Sequence, residues 1–190
     1  DIDCMVRTPT LERTGLYRFL EDGAAGLMVP FVSTGDIARH VVESVKFPPM
    51  GNRGIDGAGL DADFGTAAWC PDSTYTDDAN RETYIVAQIE TPEAMANLEE
   101  IAAIPGIDVL FVGPADLGLR LGPGGDLDGA IEAVAAAAQR HGKAWGLPAG
   151  TPEALAQYRQ MGAQFLVHGG DFALMKVLED SSAALDAAVE

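Results

Sequence analysis

Short runs of apolar and β-favouring residues alternate along this chain with longer stretches whose apolar positions recur at helical spacing. The strand-like runs fall near Cys4 to Arg7, Gly26 to Val29, Tyr84 to Ile89, Val109 to Val112, Ala144 to Leu147 and Phe165 to His168. They are almost continuously apolar and lack in–out alternation, which predicts strands covered on both faces by helices. Helical spacing predicts helices over Leu11 to Glu21, Thr34 to Val45, Pro92 to Ala102, Leu127 to His141, Pro152 to Met161 and Phe172 to Val189. Thr91 is a good N-cap before Pro92, and Gly23, Gly142 and Gly162 close three of the helices.

This repeated strand–helix rhythm predicts an α/β fold with a parallel sheet, either open and doubly wound or closed as a (β/α)8 TIM barrel. Neither GxGxxG nor GxxxxGK[ST] follows any strand, which weakens the nucleotide-binding form of the open sheet. In a barrel, functional groups stand at the C-terminal ends of several strands. That pattern is present here, so the expectation is one partial TIM-barrel domain over residues 1–190, with about six βα units readable. The chain opens without Met on "DIDCMVRTP", already strand-like, and we expect further residues upstream. One connection, Phe47 to Arg81, is long and rich in Gly, Pro and Asp, and reads as a functional or disordered loop.

Composition narrows the partners. Twelve Lys and Arg against 29 Asp and Glu give a net charge of −17, which argues against nucleic acid or an anionic membrane surface. Cys4 and Cys70 lie far apart without metal-ligand spacing, so a reducing, cytoplasmic setting is expected. No apolar run approaches the roughly 18 residues of a membrane span.

Three charges stand where strands end. Arg7 ends the first, Glu90 follows the third, and Asp116 lies just past the fourth in "VGPADLG". Two carboxylates from neighbouring tips, with waters and substrate oxygens, suit a hard divalent cation such as Mg²⁺ or Mn²⁺. The turn Gly113-Pro114-Ala115 can bring backbone N–H groups to an anion, and Arg7 can offer a fork of donors to a carboxylate or oxyanion. A purely structural reading fits the same residues. Glu90 can favour the dipole of the helix that Thr91 caps, Asp116 can cap its turn, and Arg7 can pair with either acid.

The other polar candidates are more readily structural. His40 falls within a helix, His141 suits a helix C-terminus, and Asp171 caps the last helix. His168 alone of the histidines ends a strand. Trp145 and Leu147 can wall a pocket or fill the core, and Arg53 sits in a loop that Gly and Pro hold in one conformation.

The stretches "MVRTP", "DGAAGLMVPFVST", "KFPPMGNRG", "VAQIETPEAMANLEEIAAIPGIDVLFVGPADLGLRLG" and "GAQFLVHGGDFALM" resemble the HpcH/HpaI aldolase family of the phosphoenolpyruvate/pyruvate barrel superfamily. The resemblance covers nearly the whole chain, and QIET paired with GPADL is its most specific element. It implies a class II aldolase, a carbon–carbon lyase that cleaves a 4-hydroxy-2-oxoacid to pyruvate, or a close 2-oxoacid, and an aldehyde. By motif match Glu90 and Asp116 would bind the metal and Arg7 would hold the 2-oxo group and stabilise the enolate. The N–H groups of Ala115 and Asp116 would hold the substrate carboxylate, with Gly113 permitting the approach. Arg53 would lie near the site or a subunit contact, and a homo-oligomer built from dimers, up to a hexamer, is implied.

The same resemblance implies two more βα units upstream, one of which carries the catalytic base. Gly118 replaces a Ser common in relatives, and His168 is unusual at its strand end. A citrate-lyase-β-like acyl-CoA lyase is the alternative enzyme, against which the acidic chain speaks, and an inactive product lacking the base is the alternative outside catalysis.

Overall fold

Each of the six apolar runs forms a strand, and the strands pair side by side in sequence order, every pair parallel. They are β1 (Met5–Arg7), β2 (Gly26–Val29), β3 (Tyr84–Ile89), β4 (Val109–Val112), β5 (Ala144–Pro148) and β6 (Phe165–Val167). The computed structural model describes residues 2–189; Asp1 and Glu190, at the ends of the expected domain, lie outside the described residues. Among the described residues β1 and β6 are not paired with each other, so the sheet curls into part of a barrel that is open between them.

The connecting helices are α1 (Arg13–Glu21), α2 (Gly35–Val45), α3 (Tyr75–Glu82), α4 (Pro92–Ala96), α5 (Leu98–Ala103), α6 (Pro114–Leu121), α7 (Leu127–His141), α8 (Pro152–Gln160) and α9 (Asp171–Val189). Three depart from the sequence reading. α1 starts at Arg13 and not Leu11, because the Glu12 carboxylate accepts the N–H groups of Thr14 and Gly15 and so caps the helix there. The helix expected from Pro92 to Ala102 is broken at Asn97, whose side-chain amide donates to the Ser33 carbonyl at 2.9 Å. The third departure is α6, where the sequence reading has only the turn Gly113-Pro114-Ala115; Pro114 at the first position starts the helix.

The long connection from Phe47 to Arg81 is also ordered. It holds a 3-10 turn, Leu60–Gly65, and then α3. The Asn80 side chain brackets Phe47, accepting its N–H at 2.7 Å and donating to its carbonyl at 3.0 Å. Buried Lys46 donates to the carbonyls of Asn80 and Thr83.

Strand side chains alternate between two layers, as the period of two requires. Leu27, Val29, Ile85, Ala87, Ile89, Leu110, Val112, Trp145 and Leu147 face the helices in one large core. Trp145 and Leu147 are therefore buried in the core. The opposite face carries Met28, Val86, Val109 and Phe111 in a smaller cluster, with Met5, Tyr84, Ala144 and Phe165 against it. Phe111 and Phe165 meet edge to face at 5.9 Å across Gly146 of the strand between them. A Cβ on Gly146 would strike the Phe165 carbonyl oxygen at 1.5 Å, so only glycine admits this spacing.

Candidate active site

The same alternation that turns Tyr84 and Val86 inward also turns Gln88 and Glu90 to the inner face, at the C-terminal tip of β3. On β1 it turns Met5 and Arg7 the same way. These inner positions above the apolar layer form a polar chain. Arg7 Nε donates to Gln88 Oε1 at 2.7 Å, and Gln88 Nε2 donates to Glu90 Oε2 at 3.3 Å. Arg7 thereby reaches across β2 to the tip of β3.

Glu90 is 1% exposed. Its Oε1 accepts the backbone N–H of Phe31, just past β2, at 2.9 Å. Burial pushes its carboxyl above the ordinary carboxylate range; the Phe31 N–H opposes this, the nearby Asp116 charge adds to it, and Arg7 and Arg120 pull it down. No cation touches it directly among the described residues. Gly113 leaves the room: a Cβ there would lie 2.5 Å from Glu90 Oε2. Gly113 thus makes room for the carboxylate of Glu90.

Asp116 stands in the first turn of α6, over the tip of β4, the strand next to β3. Its Oδ1 accepts from Arg120 Nη1 at 2.5 Å. The N-cap of α6 is Gly113, which has no side chain to cap the helix, so the N–H groups of Ala115 and Asp116 are free of any intrahelical acceptor. They are suitably placed for an anion.

Two predicted candidates fall elsewhere. Arg53, expected near the site or a subunit contact, lies beyond the C-terminal end of α2, where its N–H meets the Lys46 carbonyl, at the opposite end of the sheet from the tips. Its buried guanidinium pairs with Asp61 at 2.5 Å and sits 4.6 Å from the centre of the Phe47 ring, while Tyr75 donates to the same carboxylate at 2.7 Å. This is a structural clamp on the long connection. His168 follows β6 on the tip side, and its Nδ1 meets the Ala149 carbonyl at 2.6 Å, which requires the proton on Nδ1. No bond joins it to the Glu90 cluster among the described residues. His40 meets the Leu11 carbonyl and His141 meets Glu99, both structural contacts.

The residues that sequence reasoning missed are Gln88, Phe31 and Arg120. Gln88 carried a signal, being a polar residue inside the apolar run "YIVAQI". Phe31 carried none, since its positive φ of 54° is visible only in the folded backbone.

A model of the HpcH/HpaI aldolase/citrate lyase family matches residues 1–176. The chain belongs to that family. It is 39% identical over 176 residues to the 2-dehydro-3,6-dideoxy-6-sulfogluconate aldolase of Pseudomonas putida, covering 90% of this chain and 67% of that protein. It is 36% identical over 177 residues to the 5-keto-4-deoxy-D-glucarate aldolase of Klebsiella pneumoniae subsp. pneumoniae, with the same shares covered. The crystal structure of the HpcH/HpaI aldolase of Desulfitobacterium hafniense DCB-2 superimposes with a TM-score of 0.86 at 30% identity, over 97% of this chain and 72% of that one. The fold expected of the family, an α/β barrel of βα units, is the one observed in part here.

The donor set fits a hard divalent cation. Glu90 is a buried acid with no cation in contact, and Asp116 Oδ2 accepts no hydrogen bond among the described residues. No group of three or more His, Cys, Asp or Glu side chains is poised for a metal among those residues, so the protein would supply two ligands and leave the rest to water and substrate, as Mg²⁺ sites commonly do.

Proposed function

We propose that this chain acts as a class II aldolase, a carbon–carbon lyase that splits a 4-hydroxy-2-oxoacid into pyruvate, or a close 2-oxoacid, and an aldehyde, and joins them in reverse. The observation that carries this reading is the Arg7–Gln88–Glu90 chain beside Asp116, a buried acid and a guanidinium held on one inner face at the strand tips. The aldolase relatives support it at 36–39% identity.

Glu90 and Asp116 would hold Mg²⁺ or Mn²⁺, which when bound supplies a Lewis acid for the 2-oxo group. The free N–H groups of Ala115 and Asp116 take the substrate carboxylate and orient it at the start of α6. In the cleavage direction the 4-hydroxyl loses its proton, the C3–C4 bond breaks, and its electron pair leaves an enolate on the 2-oxoacid fragment. Arg7 keeps N–H donors beyond the one given to Gln88 and directs them at the enolate oxygen, where charge develops. A proton added at C3 then releases pyruvate. The group that takes the 4-hydroxyl proton is not among the side chains bonded into this cluster in the described residues.

The test is release of pyruvate from 4-hydroxy-2-oxoacids, with EDTA and with Mg²⁺ or Mn²⁺ restored. We expect activity to vanish with chelation and return with the metal, and Glu90→Gln and Asp116→Asn each to weaken Mn²⁺ binding strongly. Activity indifferent to EDTA, or wild-type Mn²⁺ affinity in either variant, returns these acids to structural roles.

A further inference from the structure

We propose that Arg120 selects the aldehyde half of the substrate by binding an anionic group at its far end, a carboxylate, sulfonate or phosphate. The inference rests on the aldolase reading and deepens it.

Arg120 lies one turn beyond Asp116 on α6. Its Nη1 donates to the carbonyl and to Oδ1 of Asp116, at 3.1 and 2.5 Å, whereas Nε and Nη2 donate to no partner among the described residues. The guanidinium stands 5.1 Å from the centre of the Phe31 ring. Phe31 is itself fixed, with its N–H on Glu90 and its backbone in the left-handed region, which a bulky residue adopts only when its surroundings hold it there. Arg120 is therefore held between an aromatic face and a carboxylate, with its other N–H groups unengaged among the described residues. Its side chain is 36% exposed, and so open to a ligand. Asp116 keeps Oδ2 available, and ligation through that oxygen leaves Arg120 where it is.

The geometry of the substrate supplies the rest. With its carboxylate on the N–H groups that open α6 and its 2-oxo group beside Glu90, Asp116 and Arg7, the substrate would extend its carbons from C4 onward past Asp116 toward the open rim. Arg120 stands there. A chain with a net charge of −17 repels anions at long range, so an anionic tail needs a local cation. Arg7 and Arg120 both pull the Glu90 carboxyl down, and Arg7 is engaged with Gln88. As a surface i,i+4 ion pair alone, Arg120 would confer no preference among ligands.

Calorimetric titration of the whole chain with Mg²⁺ present separates these roles, with 2-oxoadipate and 2-oxohexanoate as probes. Both have six carbons and the same 2-oxoacid head, neither has a 4-hydroxyl to cleave, and they differ in the distal carboxylate. We expect the wild type to favour 2-oxoadipate by about tenfold or more, Arg120→Gln to bring the ratio near one, and Arg120→Lys to keep part of it. Analogues with a sulfonate or a phosphate in place of the distal carboxylate then tell which anion is preferred. Equal affinities in the wild type, an unchanged ratio in Arg120→Gln, or an equal loss for both ligands overturns the assignment, the last leaving Arg120 as a support for Asp116. Failure of the wild type to bind either probe removes the aldolase reading and this inference with it, whereas binding without preference removes the inference alone.

Discussion

Glu90 and Gln88, successive inner positions at the tip of β3, differ in what each contributes: one is a buried charge, the other the link that joins it to Arg7. Glu90 is a charge held out of water, and its hydrogen bonds come from an amide and a backbone N–H, with no contacting cation among the described residues. Without metal, Glu90→Gln removes that charge while keeping an acceptor for the Phe31 N–H. We expect the metal-free variant to melt higher than the wild type, by an amount equivalent to about 1 kcal/mol, and to lose the further rise that Mn²⁺ gives the wild type. Thermal melts with and without Mn²⁺ read both effects. Gln88 is the link between Arg7 and Glu90, so Gln88→Met removes it at nearly constant volume. Steady-state kinetics on a 4-hydroxy-2-oxoacid are expected to lose about 10–100-fold, the usual effect of removing a residue that orients a ligand. An unchanged rate would mean that Arg7 is positioned without it. Gln88 was open to sequence reasoning as a polar residue in an apolar strand, but the identity of its partners was not, because Arg7 lies 81 residues away.

At the scale of elements, the tips of the strands depend on how the following helices begin. Thr91 accepts the N–H of Ala94 and shares a hydrogen bond with Ser33 at 2.8 Å, tying the start of α4 to the loop after β2. Thr91→Ala is expected to cost about 1 kcal/mol in denaturant unfolding. Lys46 joins the end of α2 to the residues that precede β3, and burial lowers its pKa. Lys46→Met leaves two carbonyls without that donor, and we expect a loss of about 2–3 kcal/mol, measurable as a lower denaturant midpoint at unchanged slope. The strands and most helices were legible because their apolar periodicity is local. The break at Asn97 and the order in the long connection were not, since each depends on one side-chain amide meeting a distant backbone group, Ser33 in one case and Phe47 in the other.

At the scale of the molecule, the open sheet leaves β1 and β6 as edges, and α9 carries Phe172, Leu174, Met175, Val177, Leu178 and Leu185 to solvent. Unpaired strand edges and an apolar helix of this length promote association. The chain is expected to elute above its monomer mass of 19.9 kDa in size-exclusion chromatography with light scattering, and the pair Leu174→Asp and Val177→Asp to shift it toward that mass. Elution as a monomer would show that these surfaces are tolerated in water. Among the described residues no helix is long and apolar enough to cross a membrane.

By itself the sequence determined the βα rhythm, the parallel strands and the charged residues at their tips, because each is written in local periodicity and in the polarity of single positions. Tertiary structure alone decided which of those residues meet. The curl of the sheet brings Arg7 through Gln88 to Glu90, seats Glu90 against Gly113, and sets Arg120 between Asp116 and Phe31, while Arg53 is carried to the other end of the strands. The contacts of Arg7 with Gln88, Glu90 with Gly113 and Arg120 with Phe31 join residues far apart in the chain, where register and side-chain reach, and not residue type, select the partner.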